Sequence, residues 1–357
     1  MRIAIICDSH FGVRANSPIF HDYFERCFKT FFQTIDAEGV SHVLHLGDVF
    51  DRRKELNFVT ANRCRRDFLE PLAQRRLESH VIAGNHDTYY KDTNLINALD
   101  EVIGTRYPNI HCYIDPKLIT IDGLNIQLVP WIAESNYAQS MDVLDNPKAE
   151  ICMGHFEVSG MHMSSSTTCD LGLDRGRLHR FDAVYSGHFH HMSSADNLHY
   201  LGAFSEHIWS DFADPRGFHI LDTETRNLTH YLQEETIFKM VVYDDVKDPD
   251  ILQTIANTDW SYLKNCYVKV VCVNKTNLYA FDQLLDALYK VQAADITTIE
   301  NEQAFHDNLA AEEIDQSEDT PTILSRYIEG LTLPVEIPRM KTFMLDIYKE
   351  ALVALEK

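Results

Sequence analysis

Five short polar clusters, each closing an apolar run, constrain this chain more than any other feature. They are Asp8-Ser-His10, Gly47-Asp48-Val-Phe-Asp51, Gly84-Asn85-His86-Asp87, Gly154-His155 and Gly187-His188-Phe-His190. The runs before them, residues 3–7, 43–46, 80–83, 151–153 and 183–185, read as buried strands, and further strand-like runs lie at 125–129 and 218–221. Helical periodicity fills intervening stretches at 20–37, 58–77 and 95–103. Strands alternating with helices predict an α/β fold. In such a fold the residues just past the carboxyl ends of the strands line one crevice, so the five clusters are expected to meet there. Carboxylate, imidazole and amide oxygen together are ligands for hard to borderline metal ions. Asp-x-His and His-x-His each set two donors on one side of an extended segment.

Bulk properties bound the reading. No run of about 18 apolar residues exists, so no membrane span is expected. The N-terminus reads as a strand and lacks the basic, apolar and cleavage regions of a signal peptide. The eight cysteines are scattered without a CxxC pair and read as reduced, which predicts a cytoplasmic protein. The net charge of −22 is unusual for a chain that meets nucleic acid. Residues 1–222 hold 20 basic and 30 acidic residues, and 223–357 hold 12 and 24, so more than half of the excess lies in the C-terminal third. With a screening length of about 8 Å, that remote acid barely alters the field in a cleft.

The pattern divides the chain into an α/β region, 1–232, and a small α+β unit, 233–294. The small unit reads as strand 238–243, helix 250–256, strand 267–273 and helix 281–291. Residues 295–319 carry nine acids and no Lys or Arg, and read as an acidic linker. Thr320-Pro321 then starts a helical segment, 320–357. Its last helix repeats Met340, Phe343, Met344, Ile347, Tyr348, Ala351, Leu352 and Leu355 at helical spacing.

The order of the five clusters resembles that of the calcineurin-like metallophosphoesterases. Asp8-Ser-His-Phe-Gly12, Gly47-Asp-Val-Phe-Asp51, Gly187-His-Phe-His190, Tyr200-Leu-Gly202 and Asp214-Pro-Arg-Gly-Phe218 are similar, more narrowly, to the SbcD-type nuclease subunits of recombination and repair complexes, especially the recombination endonuclease subunits of tailed phages. The resemblance covers roughly residues 1–222. It implies an α/β/β/α sandwich with a small capping domain that meets DNA and C-terminal helices that bind a partner. It implies that Asp8, His10 and His190 hold one divalent ion, that Asn85, His155 and His188 hold a second, and that Asp48 bridges both. Manganese is the family's usual ion, and ligand type leaves magnesium, iron and zinc open. His86, without an ion of its own, would protonate the departing sugar oxygen, and Asp51 or Asp87 would orient a histidine. The resemblance further implies a homodimer built on the helices at 57–77 and 94–106, and a coiled-coil, SbcC-like ABC ATPase gripping the C-terminal helices.

The implied activity is that of a DNA exonuclease and endonuclease in recombination, repair and replication. Two alternatives are a phosphodiesterase acting on small nucleotides and a non-catalytic DNA-tethering scaffold. The complete ligand set argues against the scaffold, and the C-terminal arm against the small-substrate enzyme. Arg52, Arg53, Lys54, Arg63, Arg65, Arg66, Arg75 and Arg76 read equally as a DNA-backbone track or as a solvated helix face. The segment 159–180 reads as a lid or a surface loop. His162, His179, His191 and His207 read as surface residues, and Arg14 and Asn16 as loop residues.

Overall fold

In the computed structural model Ile3 and Ile5 point to one side of the first strand and Ala4 and Ile6 to the other, and all four are fully buried. A strand apolar on both faces belongs inside a layered fold. The structure describes residues 1–163, 167–169, 172–301 and 303–306, together with 328, 337, 339–344 and 347. It falls into two units, Met1–Ala310 and Ala311–Lys357.

Within the first unit, β1 (Arg2–Ile6), β2 (His42–His45), β3 (Glu78–Ile82) and β4 (Ile110–Tyr113) run parallel in one sheet. A second sheet holds β5 (Lys117–Ile121), β6 (Leu124–Val129), β7 (Ile151–His155), β8 (Ala183–Gly187), β9 (Ser193–Ala195) and β10 (Leu198–Tyr200), in the order β5-β6-β7-β8-β10-β9. The chain returns through β11 (Gly217–Asp222) and β12 (Leu228–Leu232) to complete the first sheet as β12-β11-β1-β2-β3-β4. Ile3, Ile5, Leu44 and Ile82 of the first sheet share one core cluster with Ile126, Leu128, Ile151 and Met153 of the second, so the two sheets pack face to face.

The outer face of the first sheet is covered by α1 (Pro18–Ala37). Its Phe20, Phe24, Phe28, Phe31 and Ile35 recur every three or four residues and are all buried, which gives the helix its apolar stripe. The second sheet's outer face is covered by the helix Tyr137–Asp145 and by Met161, Cys169 and Leu178. This is the α/β/β/α sandwich. The described part of the 159–180 segment is therefore packed against this layer, while 164–166, 170 and 171 lie outside the described residues.

The small unit carries one element more than its sequence pattern shows. β13 (Phe238–Asp244), α2 (Ile251–Asn257), β14 (Tyr267–Asn274), α3 (Leu278–Lys290) and β15 (Asp295–Ile299) alternate, and the three strands form one parallel sheet. This corrects the acidic linker expected from residue 295. The β-branched run Ile296-Thr-Thr-Ile299 pairs with β14, and Phe305 is buried against Trp209 and Phe212. Apolar and β-branched residues that fit a pleated sheet outweigh the scattered acids. Most of the remaining linker and of the helical segment 320–357 lies outside the described residues. The second unit is helical at the positions described.

Candidate metal centre

The parallel strands β1, β2 and β3 of one sheet, and β7 and β8 of the other, bring their carboxyl ends to a common edge. Asp8 and His10 follow β1, Asp48 follows β2, Asn85 follows β3, His155 ends β7, and His188 and His190 follow β8. Backbone bonds fix the spacing between loops: Asp8 N–H donates to Gly47 O at 3.1 Å, and His10 N–H to Asp48 O at 3.1 Å. The Asp8 carboxylate accepts the His188 N–H at 3.0 Å, which ties one sheet to the other. The turns are sharp. Asp8, His10, Asp48 and His188 all have positive φ (51°, 43°, 55° and 86°), a conformation of the kind that concentrates at functional sites. Gly84 is required by close approach, because a Cβ there would lie 2.2 Å from an Asp48 carboxylate oxygen.

All seven expected ligands converge. Asp48 Oδ2 lies 3.7 Å from His10 Nε2 and 3.3 Å from His155 Nε2, so one carboxylate faces both halves of the centre. In one half, Asn85 directs its amide oxygen at His155 Nε2 (2.9 Å) and His188 Nδ1 (3.1 Å). His155 Nδ1 donates to Leu46 O at 2.7 Å, which leaves its Nε2 lone pair turned toward Asp48 and Asn85, themselves acceptors. Acceptors gathered round one ring nitrogen are what a cation, proton or metal, satisfies, and an imidazole anchored through its far nitrogen to a carbonyl is the usual mount of a metal ligand. In the other half, His10 Nε2 and His190 Nε2 are 3.1 Å apart. That separation is roughly the span of neighbouring ligands on an ion with bonds of ~2.1 Å. The donor set therefore fits divalent ions on both sides of Asp48.

The electrostatics agree. Burial raises the Asp8 carboxyl well above the usual range, with Asp48 and Asp87 adding to it. Burial also opposes ionisation of Asp48, but His155, His86 and His10 outweigh it and hold its carboxyl below the usual range. Burial alone would depress His155, yet the Asp48 charge lifts it to about 9, so without an ion its Nε2 holds a proton against Asp48, which a bound metal would displace. Burial lowers His10, His188 and His190, and lowers His207 to about 3, which keeps these imidazoles in the neutral, lone-pair form that binds metal.

His86 sits at the rim, half-buried, with its backbone N–H on Asp48 Oδ1 (2.8 Å). Its Nδ1 donates to the Asp51 backbone carbonyl at 2.6 Å, leaving Nε2 free to face a substrate. For His86 the orienting group is thus the Asp51 backbone carbonyl, while the Asp51 carboxylate faces His10 Nδ1 at 3.6 Å. Asp87 instead bonds the N–H groups of Gly84 (2.9 Å) and Phe50 (3.0 Å), clamping two ligand loops together.

Two of the surface readings are corrected. His207 is fully buried, with its ring 5.0 Å from His10 and 5.1 Å from His190. His191 is half-buried and bonds Asp214 at 2.8 Å. His162 and His179 are exposed. Asp214-Pro-Arg-Gly-Phe218 proves to be a support: buried Arg216 pairs with Asp211 (2.6 Å) and Asp214 (2.8 Å), and Asp211 also holds the backbone N–H groups of His207 (2.6 Å) and Ile208 (3.0 Å). Sequence reading also passed over His45, buried and bonded to Ser9 at 2.8 Å behind the first ligand loop. Arg14 bonds His207 O at 3.3 Å, and Asn16 accepts from Thr60 at 2.7 Å, both loop roles. Much of the basic cluster is neutralised. Arg52 pairs with Glu55, Arg63 and Arg66 with acids of α1 and with Asp67, and Arg75 with Asp36, so the solvated-face reading prevails for these four.

A chain with these clusters at strand ends, in a two-sheet sandwich, matches the profile of the calcineurin-like phosphoesterases over residues 1–192, and it belongs to that family. It is accordingly a metal-dependent phosphodiesterase, a hydrolase of ester bonds that uses divalent ions. The chain is 27% identical, over 332 residues and 93% of each chain, to exonuclease subunit 1 of Enterobacteria phage T4. Among solved structures, one described as a novel archaeal phosphodiesterase aligns with a TM-score of 0.35 at 13% identity, covering 65% of this chain and 99% of its own. A protein of unknown function from Aquifex aeolicus aligns with a TM-score of 0.26 at 16% identity, covering 43% and 77%. Among the described residues no helix is long and apolar enough to cross a membrane.

Proposed function

We propose that this chain is the nuclease subunit of a DNA-processing complex, cutting phosphodiester bonds of DNA in recombination, repair and replication. The observation that carries this reading is the convergence of six side chains around Asp48, in a chain similar along 93% of its length to a phage exonuclease subunit. Asp8, His10 and His190 would hold one ion, Asn85, His155 and His188 the other, and Asp48 both, with manganese the preferred metal. When bound, such ions supply Lewis-acid charge and make water acidic enough to attack near neutral pH. The chain's own residues do the rest. His86, anchored through Nδ1, presents Nε2 to the leaving sugar oxygen and gives up a proton there. Asp87 and the Gly84 approach keep the Asn85-His86 turn at a fixed depth beside Asp48.

An SbcC-like coiled-coil ATPase is the partner this reading calls for, since the C-terminal segment carries an apolar helical stripe suited to docking in a groove. Strongly exposed Phe58, Val59, Leu95 and Ile96, near the two segments implied for pairing, support a homodimer. The setting would be the host cytoplasm of a phage. Manganese-dependent degradation of linear duplex and single-stranded DNA by the full chain, with and without the ATPase, tests the reading. His86→Ala is expected to lower the rate by about 10²–10⁴-fold while leaving metal content unchanged. Hydrolysis of bis-para-nitrophenyl phosphate, but of no DNA even with the ATPase present, would transfer the assignment to small phosphodiesters.

A further inference from the structure

The imidazole of His207 has no role in the ligand set above, yet it lies inside the centre. It is fully buried, and its ring packs edgewise at 5.0 Å from His10 and 5.1 Å from His190. One ligand nitrogen from each of His10, His190 and His207 falls within 4.8 Å of the others, a spacing that admits one ion among them. His10 belongs equally to the group Asp8, His10 and Asp48, whose ligand atoms meet the same limit. The buried Nδ1 of His207 has no hydrogen-bond partner, while its Nε2 approaches Ser205 Oγ at 3.3 Å. Packing alone accounts poorly for an imidazole here. The apolar contact it makes, an edge-to-face approach to Phe24 at 5.9 Å, would suit phenylalanine as well, without an unpaired nitrogen in a buried site. The mount is also firm: Asp211 receives the His207 N–H at 2.6 Å and is itself pinned by buried Arg216, and Arg14 Nε donates to His207 O.

We infer that His207 is an additional protein ligand of the ion held by Asp8, His10 and His190, which makes that half of the centre nitrogen-rich. The inference rests on the proposed metal assignment and adds one imidazole to it. Three imidazoles beside two carboxylates suit manganese, iron, cobalt or zinc, whereas magnesium takes oxygen donors and keeps its waters. The half built from His207 should therefore discriminate against magnesium more strongly than the half built from Asn85, His155 and His188.

Titration of the metal-free full chain with Mn²⁺ and with Mg²⁺, by calorimetry and by Mn²⁺ electron paramagnetic resonance, tests this. Wild type is expected to take two Mn²⁺. His207→Phe, which fills the space beside Phe24, and His207→Gln should each take one Mn²⁺ as wild type does and the other at least about tenfold more weakly. Their preference for Mn²⁺ over Mg²⁺ should fall in parallel. Two Mn²⁺ bound by both variants at wild-type affinity would overturn the role of His207. Fewer than two Mn²⁺ in wild type would instead defeat the two-ion assignment beneath it. If neither variant folds, electron spin-echo measurements on wild type bearing a single Mn²⁺ in this half decide the matter. Three coupled imidazole nitrogens support the inference and two exclude it.

Discussion

The two halves of the candidate metal centre share imidazoles, but one adds the Asn85 amide and the other the Asp8 carboxylate, and the two are mounted differently. In one half, His155 is the last residue of β7, its ring anchored to the Leu46 carbonyl just past β2, His188 directly follows β8, and Asn85, on the turn after β3, reaches both rings. All three are buried. His10, His190 and His207 sit on loops instead. His190 is half-buried, and His207 depends on the Arg216–Asp211 pair several residues away. Strand-end ligands inherit their positions from the sheet, whereas loop ligands need a supporting network of their own, so damage to that network should fall on one half alone.

The change expected to act most strongly is Asp48→Asn, since that carboxylate faces both halves at 3.7 and 3.3 Å. Loss of both ions and a fall in DNA cleavage of roughly 10⁴-fold are expected, equivalent to several kcal/mol of transition-state stabilisation. Metal analysis of the purified variant checks the cause. Retention of one ion at full affinity would show that Asp48 serves a single half, and the comparison would need redrawing.

Arg216→Leu comes next, and it separates the halves. Breaking a buried ion pair leaves Asp211 uncompensated, at a cost of about 3–5 kcal/mol to folding, measurable by urea denaturation. Burial opposes the charge on Asp211, and Arg216 outweighs it, so the Asp211 carboxyl lies below its usual range. A depressed carboxyl contributes its stability above the unfolded pKa of about 3.9, and the contribution is lost as pH falls through the folded value. The deficit of the variant relative to wild type should accordingly be full at pH 7 and shrink as the pH is lowered through 4 toward 3. The ion of the Asn85–His155–His188 half should survive the substitution. Equal loss from both halves would mean that the network supports the whole centre.

The difference in mounting also explains what could be read in advance. Candidate ligands that follow long apolar strands are legible in the sequence, because Ile3–Ile6 and its counterparts are unmistakably buried runs and the polar cluster marks where each one stops. His207 gave no such signal. It follows β10, a strand of three residues, Leu198–Tyr200, too short to show a period, and its support comes from Asp211 and Arg216 through tertiary contact. The strand β15 was hidden for a related reason. Its pairing with β14 depends on a neighbour almost thirty residues back, while the local composition is acidic. The basic cluster stayed open between two readings for the same reason: the acids that pair with Arg63, Arg66 and Arg75, namely Asp22, Glu25 and Asp36, come from α1, some forty residues away.

The smallest effect is expected beside the strand-mounted half. The Trp131 ring stands 5.3 Å from His188 and 6.1 Å from His155 and lines a cavity of about 300 Å³ with Tyr137, Met141, Phe156, Leu173 and Arg177. An aromatic wall next to a phosphodiester site offers a stacking surface for the base flanking the cut bond, worth about 1–3 kcal/mol per stacked base. Trp131→Leu keeps the wall apolar but removes the stacking face. It should raise KM for single-stranded DNA about tenfold, the effect of some 1.4 kcal/mol, with kcat nearly unchanged. Hydrolysis of bis-para-nitrophenyl phosphate, which carries no base, should stay at the wild-type level. If that small substrate suffers as much as DNA, Trp131 acts by holding His155 and His188 in place, and the strand-mounted half depends on side-chain packing as much as its loop-mounted counterpart depends on Arg216.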